Sequence, residues 1–130
     1  MERILLLVEE TPGAGHVGDW AVRLCRRLSA RLFALSVIPA RPLLNARSPV
    51  LDAEEKAWRL LYEVEDAAFA ENVPASLLLE TGDPLQRLGE LCRSYKIELI
   101  VVSTDSRVPA LELIRRTPSP VVFVKPPKED

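Results

Sequence analysis

Five short apolar runs limit what this chain can fold into more than any other feature. They are Ile4–Val8, Leu32–Ile38, Ala75–Leu79, Glu98–Val102 and Val121–Val124. A strand with one wet face alternates apolar and polar residues. A run without alternation reads as a strand buried on both faces, as in a parallel sheet covered by helices. Between the runs, apolar residues recur at helical spacing instead. Strand and helix therefore alternate in the order β-α-β-α-β-α-β-α-β. That order predicts an α/β fold of three layers, with one five-stranded parallel sheet between helices. The 130 residues suit a single domain.

The first helical segment carries Val17, Trp20, Ala21, Leu24, Cys25 and Leu28 on one stripe. Arg23, Arg26, Arg27 and Arg31 share its other side and read as a solvated face, because the net charge is −2. Arg41 to Val50, with Pro42 and Pro49, reads as a surface loop. Asp52 then opens a long helix, with Glu55 completing a capping box. Its buried stripe is Ala57, Leu60, Leu61, Val64 and Ala68, widened by Trp58, Tyr62 and Phe69. Asp83 reads as the N-cap of the third helix, Pro84 as its first residue and Gln86 as the reciprocal capping side chain. Leu88, Leu91, Cys92 and Tyr95 form that helix's buried stripe. Pro109 to Arg116 is a short helix, stopped at Thr117 by the proline that follows. Pro120 opens the last strand and Pro126-Pro127 closes it.

Several function classes find little support. An acidic balance, with pI near 5.5, gives no overall pull toward nucleic acid. No apolar run approaches the roughly 20 residues of a membrane span. Met1-Glu2-Arg3 leads straight into a run too short for a signal core, so a cytoplasmic protein is expected. In that compartment Cys25 and Cys92 read as buried thiols. Nucleophilic catalysis needs a nucleophile with a base in reach. The lone histidine, His16, stands at a helix start, and no Gly-x-Ser-x-Gly elbow occurs. No His/Cys pair has metal-ligand spacing. The chain reads as a non-enzyme.

Three stretches carry a resemblance to the universal stress protein family. Val8-Glu9-Glu10-Thr11 stands where that family has Val-Asp-x-Ser. Gly82-Asp83-Pro84, with Leu85, Leu88 and Leu91 and then Glu98-Leu99-Ile100-Val101-Val102, resembles its Gly-Asp-Pro helix and Asp-Leu-Ile-Val-Val strand. Thr117-Pro118-Ser119-Pro120-Val121-Val122 resembles its closing Ala-Pro-Cys-Pro-Val-Leu run. The resemblance implies a Rossmann-like sheet of the adenine nucleotide alpha hydrolase type, in strand order 3-2-1-4-5. Helices 1 and 2 would then lie on one face and helices 3 and 4 on the other, with Cys25 and Cys92 on opposite sides. The ligand crevice would sit at the carboxyl ends of strands 1 and 4, lined by Glu9, Thr11, Ile38, Ser103 and Thr104. Homodimerisation would run through the last strand, whose Val121, Val122, Phe123 and Val124 are all apolar.

ATP-binding members carry a Gly-x2-Gly-x9-Gly-Ser/Thr loop after strand 4. This chain has no glycine after Gly89, and Ser103-Thr104-Asp105-Ser106 stands where the loop begins. The stretch to Pro120 is about a dozen residues shorter than in those members. Glu9 replaces an Asp and Asp105 adds negative charge nearby. No cofactor is therefore expected, with ATP and AMP disfavoured. Ser103, Thr104, Ser106 and Arg107 still offer a remodelled anion site. Against that stands a plain polar turn in which Ser106 caps the last helix. The expected function is a non-catalytic stress-response or regulatory protein acting through protein contacts, with an unidentified protein partner. The alternative is a sensor of a nucleotide or other anion in the crevice. Response-regulator receivers also alternate strand and helix, but need an Asp after strand 3, where Glu80-Thr81 stands.

Overall fold

The computed structural model describes residues 1–40 and 48–127. Its elements are β1 (Arg3–Leu7), α1 (Ala14–Leu28), β2 (Arg31–Ile38), α2 (Ser48–Ala70), β3 (Ala75–Thr81), α3 (Pro84–Ser94), β4 (Leu99–Ser103), α4 (Ala110–Arg116) and β5 (Val121–Val124). The strands form one parallel sheet in the order β3-β2-β1-β4-β5. That order excludes the receiver arrangement, in which strand 1 lies between strands 2 and 3.

β1 shows why its sequence run has no alternation. Ile4 and Leu6 pack toward α1 and α2, whereas Leu5 and Leu7 pack toward α3 and α4. Ile4 pairs with Leu32 on one side and Leu99 on the other, so the strand has neighbours in every direction. Each such side chain removed from water contributes roughly 1.5–3 kcal/mol. Cys25 belongs to the α1–α2 core and Cys92 to the α3–α4 core, so the sheet separates them.

Five local expectations need correction. Helix α2 begins at Ser48, not Asp52, so Asp52 and Glu55 lie inside it and form no capping box. Pro49 falls in the first turn, where its missing N–H costs nothing. Of the expected loop, residues 41–47 lie outside the described residues. Tyr62 and Phe69 do not widen the buried stripe: they are 53% and 82% exposed. Helix α2 packs against α1, β2 and β3, and these two rings stay largely in solvent. Trp58 is half-buried and stacks on Tyr62 at 5.6 Å. Leu28 and Tyr95 also lie toward solvent at their helix ends, although Tyr95 keeps a ring contact with Phe33 at 5.1 Å. The Asp83 cap forms, accepting from the Gln86 backbone N–H at 3.3 Å, but the Gln86 amide turns to Glu90. Finally, α4 has Pro109 at its N-cap, so Ser106 does not cap it.

Candidate functional site

Two connections meet at the carboxyl ends of the central strands. The first follows β1. Val8 extends the strand by donating to Leu35 O at 2.8 Å, and Thr11 N–H returns to Glu9 O at 3.0 Å to make a tight turn. The second follows β4 and runs from Thr104 to Pro109. It is short, so its backbone lies close against the first.

Acids of one connection bind donors of the other. Glu9 Oε1 accepts from the Ser106 hydroxyl at 2.5 Å, and Oε2 accepts from the Arg107 backbone N–H at 3.0 Å. The Arg107 guanidinium donates to Glu10 O at 3.0 Å. Ser106 Oγ in turn accepts from Val108 N–H, which folds the loop around its own hydroxyl. In the opposite sense, Asp105 Oδ2 accepts from Gly13 N–H at 3.0 Å while its Oδ1 accepts from Ser103 Oγ. The Ser103 hydroxyl, with help from Gly13 N–H and the Thr11 hydroxyl, holds the Asp105 carboxyl below the usual carboxylate range.

A cavity of about 500 Å³ opens beside this clasp, over the carboxyl ends of β1 and β2. Its apolar walls include Val8, Ile38, Ala57, Leu60, Leu85 and Val108. Ser36 is the polar group of its floor and is itself buried. Glu9, Glu10, Asp52 and Asp83 also line it, with Lys56 and Arg107 as its cations. Both cations are engaged: Lys56 Nζ stands 4.0 Å from Glu10, and Arg107 is held on the Glu10 carbonyl.

The seven residues expected at the crevice are divided among different places. Glu9, Ile38 and Arg107 line the cavity. Thr11 and Ser103 border a recess of about 10 Å³ between β1 and β4, which is closed for any ligand. Ser106 lies in the clasp, and Thr104 is exposed, its N–H tied to Val124 O. The cavity thus extends toward β2, and near the β1–β4 junction Ser103, Asp105 and Gly13 bond to one another. Ser36 was not foreseen, though a lone serine inside the Leu32–Ile38 run was a legible signal. Lys56, Leu85 and Val108 were not foreseen as cavity residues, and no local pattern marks them.

A model of the universal stress protein family matches residues 1–125. The chain belongs to the universal stress protein family. A universal stress protein of Helicobacter pylori is 26% identical over 94% of this chain and 98% of its own. The crystal structure of a family protein from Burkholderia pseudomallei superposes with a TM-score of 0.79 at 24% identity, covering 95% of each chain. A universal stress protein solved in complex with cAMP gives 0.75 at 18% identity, over 95% of this chain and 96% of that one.

Other groups singled out in this universal stress protein lie away from the cavity. His16 is exposed on the first turn of α1 and does not line it. Burial pushes the Cys25 thiol up to about 12 and the Cys92 thiol to about 11, so both stay protonated at neutral pH. The arginine stripe of α1 is solvent-facing, with Arg26 paired to Glu71 at 2.6 Å. Among the described residues no three His, Cys, Asp or Glu side chains converge as metal ligands, and no helix is long and apolar enough to cross a membrane.

Proposed function

We propose that this protein is a non-catalytic, cytoplasmic regulator that senses a small uncharged ligand of nucleoside size in the β1–β2 cavity. It does not hold ATP in the manner of the family's glycine-loop members. The observation that carries this reading is the cavity itself. Its volume of about 500 Å³ falls in the range of small-molecule sites, and its walls are mostly apolar with a few polar groups. A cAMP complex of a structurally similar protein supports a ligand with a nucleoside part. A phosphate part is disfavoured in this chain, because the Ser106 hydroxyl and Arg107 N–H that an anion would seek are spent on Glu9. The position of His16, outside the cavity, supports a binding role over catalysis.

Thermal unfolding with adenosine, AMP and Mg-ATP tests the reading. A ligand at 100 times its dissociation constant adds about 2.7 kcal/mol, which moves a domain of this size by several degrees. Adenosine is expected to give the largest shift. A larger shift with Mg-ATP overturns the proposal.

A second reading concerns output. β5 lies at the sheet edge, and Val121, Val122 and Phe123 are only half-buried. An apolar edge strand with one free side invites pairing with a second copy. A homodimer through β5 is the proposed form, able to pass ligand occupancy to a protein partner.

A further inference from the structure

We infer that Glu9 decides the charge of the ligand this cavity accepts: at the cavity's edge it occupies the anion-binding donors of the β4–α4 turn and so turns away phosphorylated ligands. The inference deepens the nucleoside reading above and rests on it for the identity of the ligand, though not for the behaviour of Glu9 itself.

Glu9 lines the cavity and has both oxygens committed, one to the Ser106 hydroxyl and one to the Arg107 backbone N–H. Those two donors sit on one short turn and point at one place. That is the arrangement a phosphate oxygen pair would use. A carboxylate on them does what a phosphate would do, without a ligand. An incoming phosphate must displace Glu9 and then sit beside the displaced charge. The nearby cations compensate only in part. Arg107 keeps its charge but has a guanidinium nitrogen tied to the Glu10 carbonyl at 3.0 Å, and Lys56 stands 4.0 Å from the Glu10 carboxylate. Across the mouth, Asp83 has Arg116 as its partner at 3.7 Å. Asp105 does not relieve the repulsion either, since it is negative and bound to Gly13 and Ser103.

The length of the side chain matters. An aspartate at this position is one methylene shorter than Glu9. The extra reach lets the carboxylate of the β1–α1 connection cross to the β4–α4 turn. The shortened turn brings its donors within that reach.

Glu9→Gln and Glu9→Ser separate the possibilities. The glutamine keeps the shape and one acceptor while removing the charge, and the serine removes the occupant. Glu9 is only partly buried on a loop, so both variants are expected to fold, and melting curves check this. Calorimetric titration then uses adenosine, AMP and inorganic phosphate on each protein. The parent is expected to prefer adenosine over AMP. In Glu9→Ser, the affinity for AMP relative to adenosine should rise about tenfold, the worth of one charge-assisted hydrogen bond. Inorganic phosphate should bind the variant more tightly than the parent, and Glu9→Gln should fall between the two. No gain for AMP or phosphate in either folded variant overturns the role given to Glu9. If the parent binds neither adenosine nor AMP, the nucleoside reading fails, yet a gain in phosphate binding by the variants still upholds Glu9 as the occupant. Should the serine variant unfold, the same comparison rests on Glu9→Gln, where an unchanged phosphate affinity overturns the inference.

Discussion

Asp105 is the side chain through which two distant connections are tied together. Its carboxylate ties the start of α1 to the end of β4 through Gly13 N–H and Ser103 Oγ. These bonds need the ionised form, so its folded pKa lies below the ordinary value of about 3.9. In the native state the group therefore binds fewer protons than in the unfolded state. Its contribution is present above about pH 4 and is lost as the pH falls through the lower folded value. Denaturant titrations of the parent between pH 5 and 2, roughly the span of such an acid transition, are expected to lose stability more steeply than those of Asp105→Asn. Equal slopes would show that the tie contributes nothing. The position of Asp105 after β4 was legible. Its partner was not, because Gly13 is distant in sequence and nothing in either local pattern names the other.

The two ends of α1's first turns give opposite expectations for the same methyl group. A Cβ on Gly13 would overlap Pro126, coming 2.9 Å from its Cβ, and would stand 3.0 Å from Asp105 Oδ2. A Cβ on Gly18 would meet Val64 Cγ2 at 3.5 Å, an ordinary contact where α1 crosses α2. Gly13→Ala should cost about 1–3 kcal/mol through overpacking. Gly18→Ala should add about 0.5–1 kcal/mol, the usual gain for alanine over glycine inside a helix. Urea midpoints of both variants check the contrast, and equal signs would contradict it. The elements themselves were readable from the sequence to within a few residues at their ends. The three central strands stood out because they are buried on both faces, and the half-buried edge strands β3 and β5 stood out as apolar runs of the same kind. The start of α2 did not, because Pro49 reads as a loop residue until its place in the first turn is known. Tyr62 and Phe69 share a heptad-spaced face beside the true stripe. Which of two adjacent apolar faces is covered depends on neighbours that helical spacing does not specify.

The proposed assembly turns on the sheet's edges. β3 and β5 end the sheet, and β5 is the shorter, more uniformly apolar of the two. Sedimentation at micromolar concentration is expected to return twice the 14.5 kDa of one chain. Val122→Lys, a charge set on a half-buried position of β5, should shift the mass toward monomer. A monomer in the parent at that concentration would end the dimer proposal.

The alternation of apolar runs and helical stripes was enough to dictate an α/β sheet covered on both faces, because burial on two sides leaves no polar positions in a strand. The ordered motifs around Glu9, Gly82-Asp83-Pro84 and Pro118-Ser119-Pro120 were enough to indicate the family and, through it, the strand order. The cavity belongs to the tertiary structure alone. Val8, Ser36, Leu60, Leu85 and Val108 come from five separate segments, and only the order of strands and the layering of helices bring them together. So too with the clasp. Glu9 and Asp105 read as two unfavourable charges in the sequence, and become two satisfied ones once a short turn places Ser106, Arg107 and Gly13 within hydrogen-bond reach. Hydrogen bonds act over a few ångströms, and separation along the chain says nothing about that distance until the chain has folded.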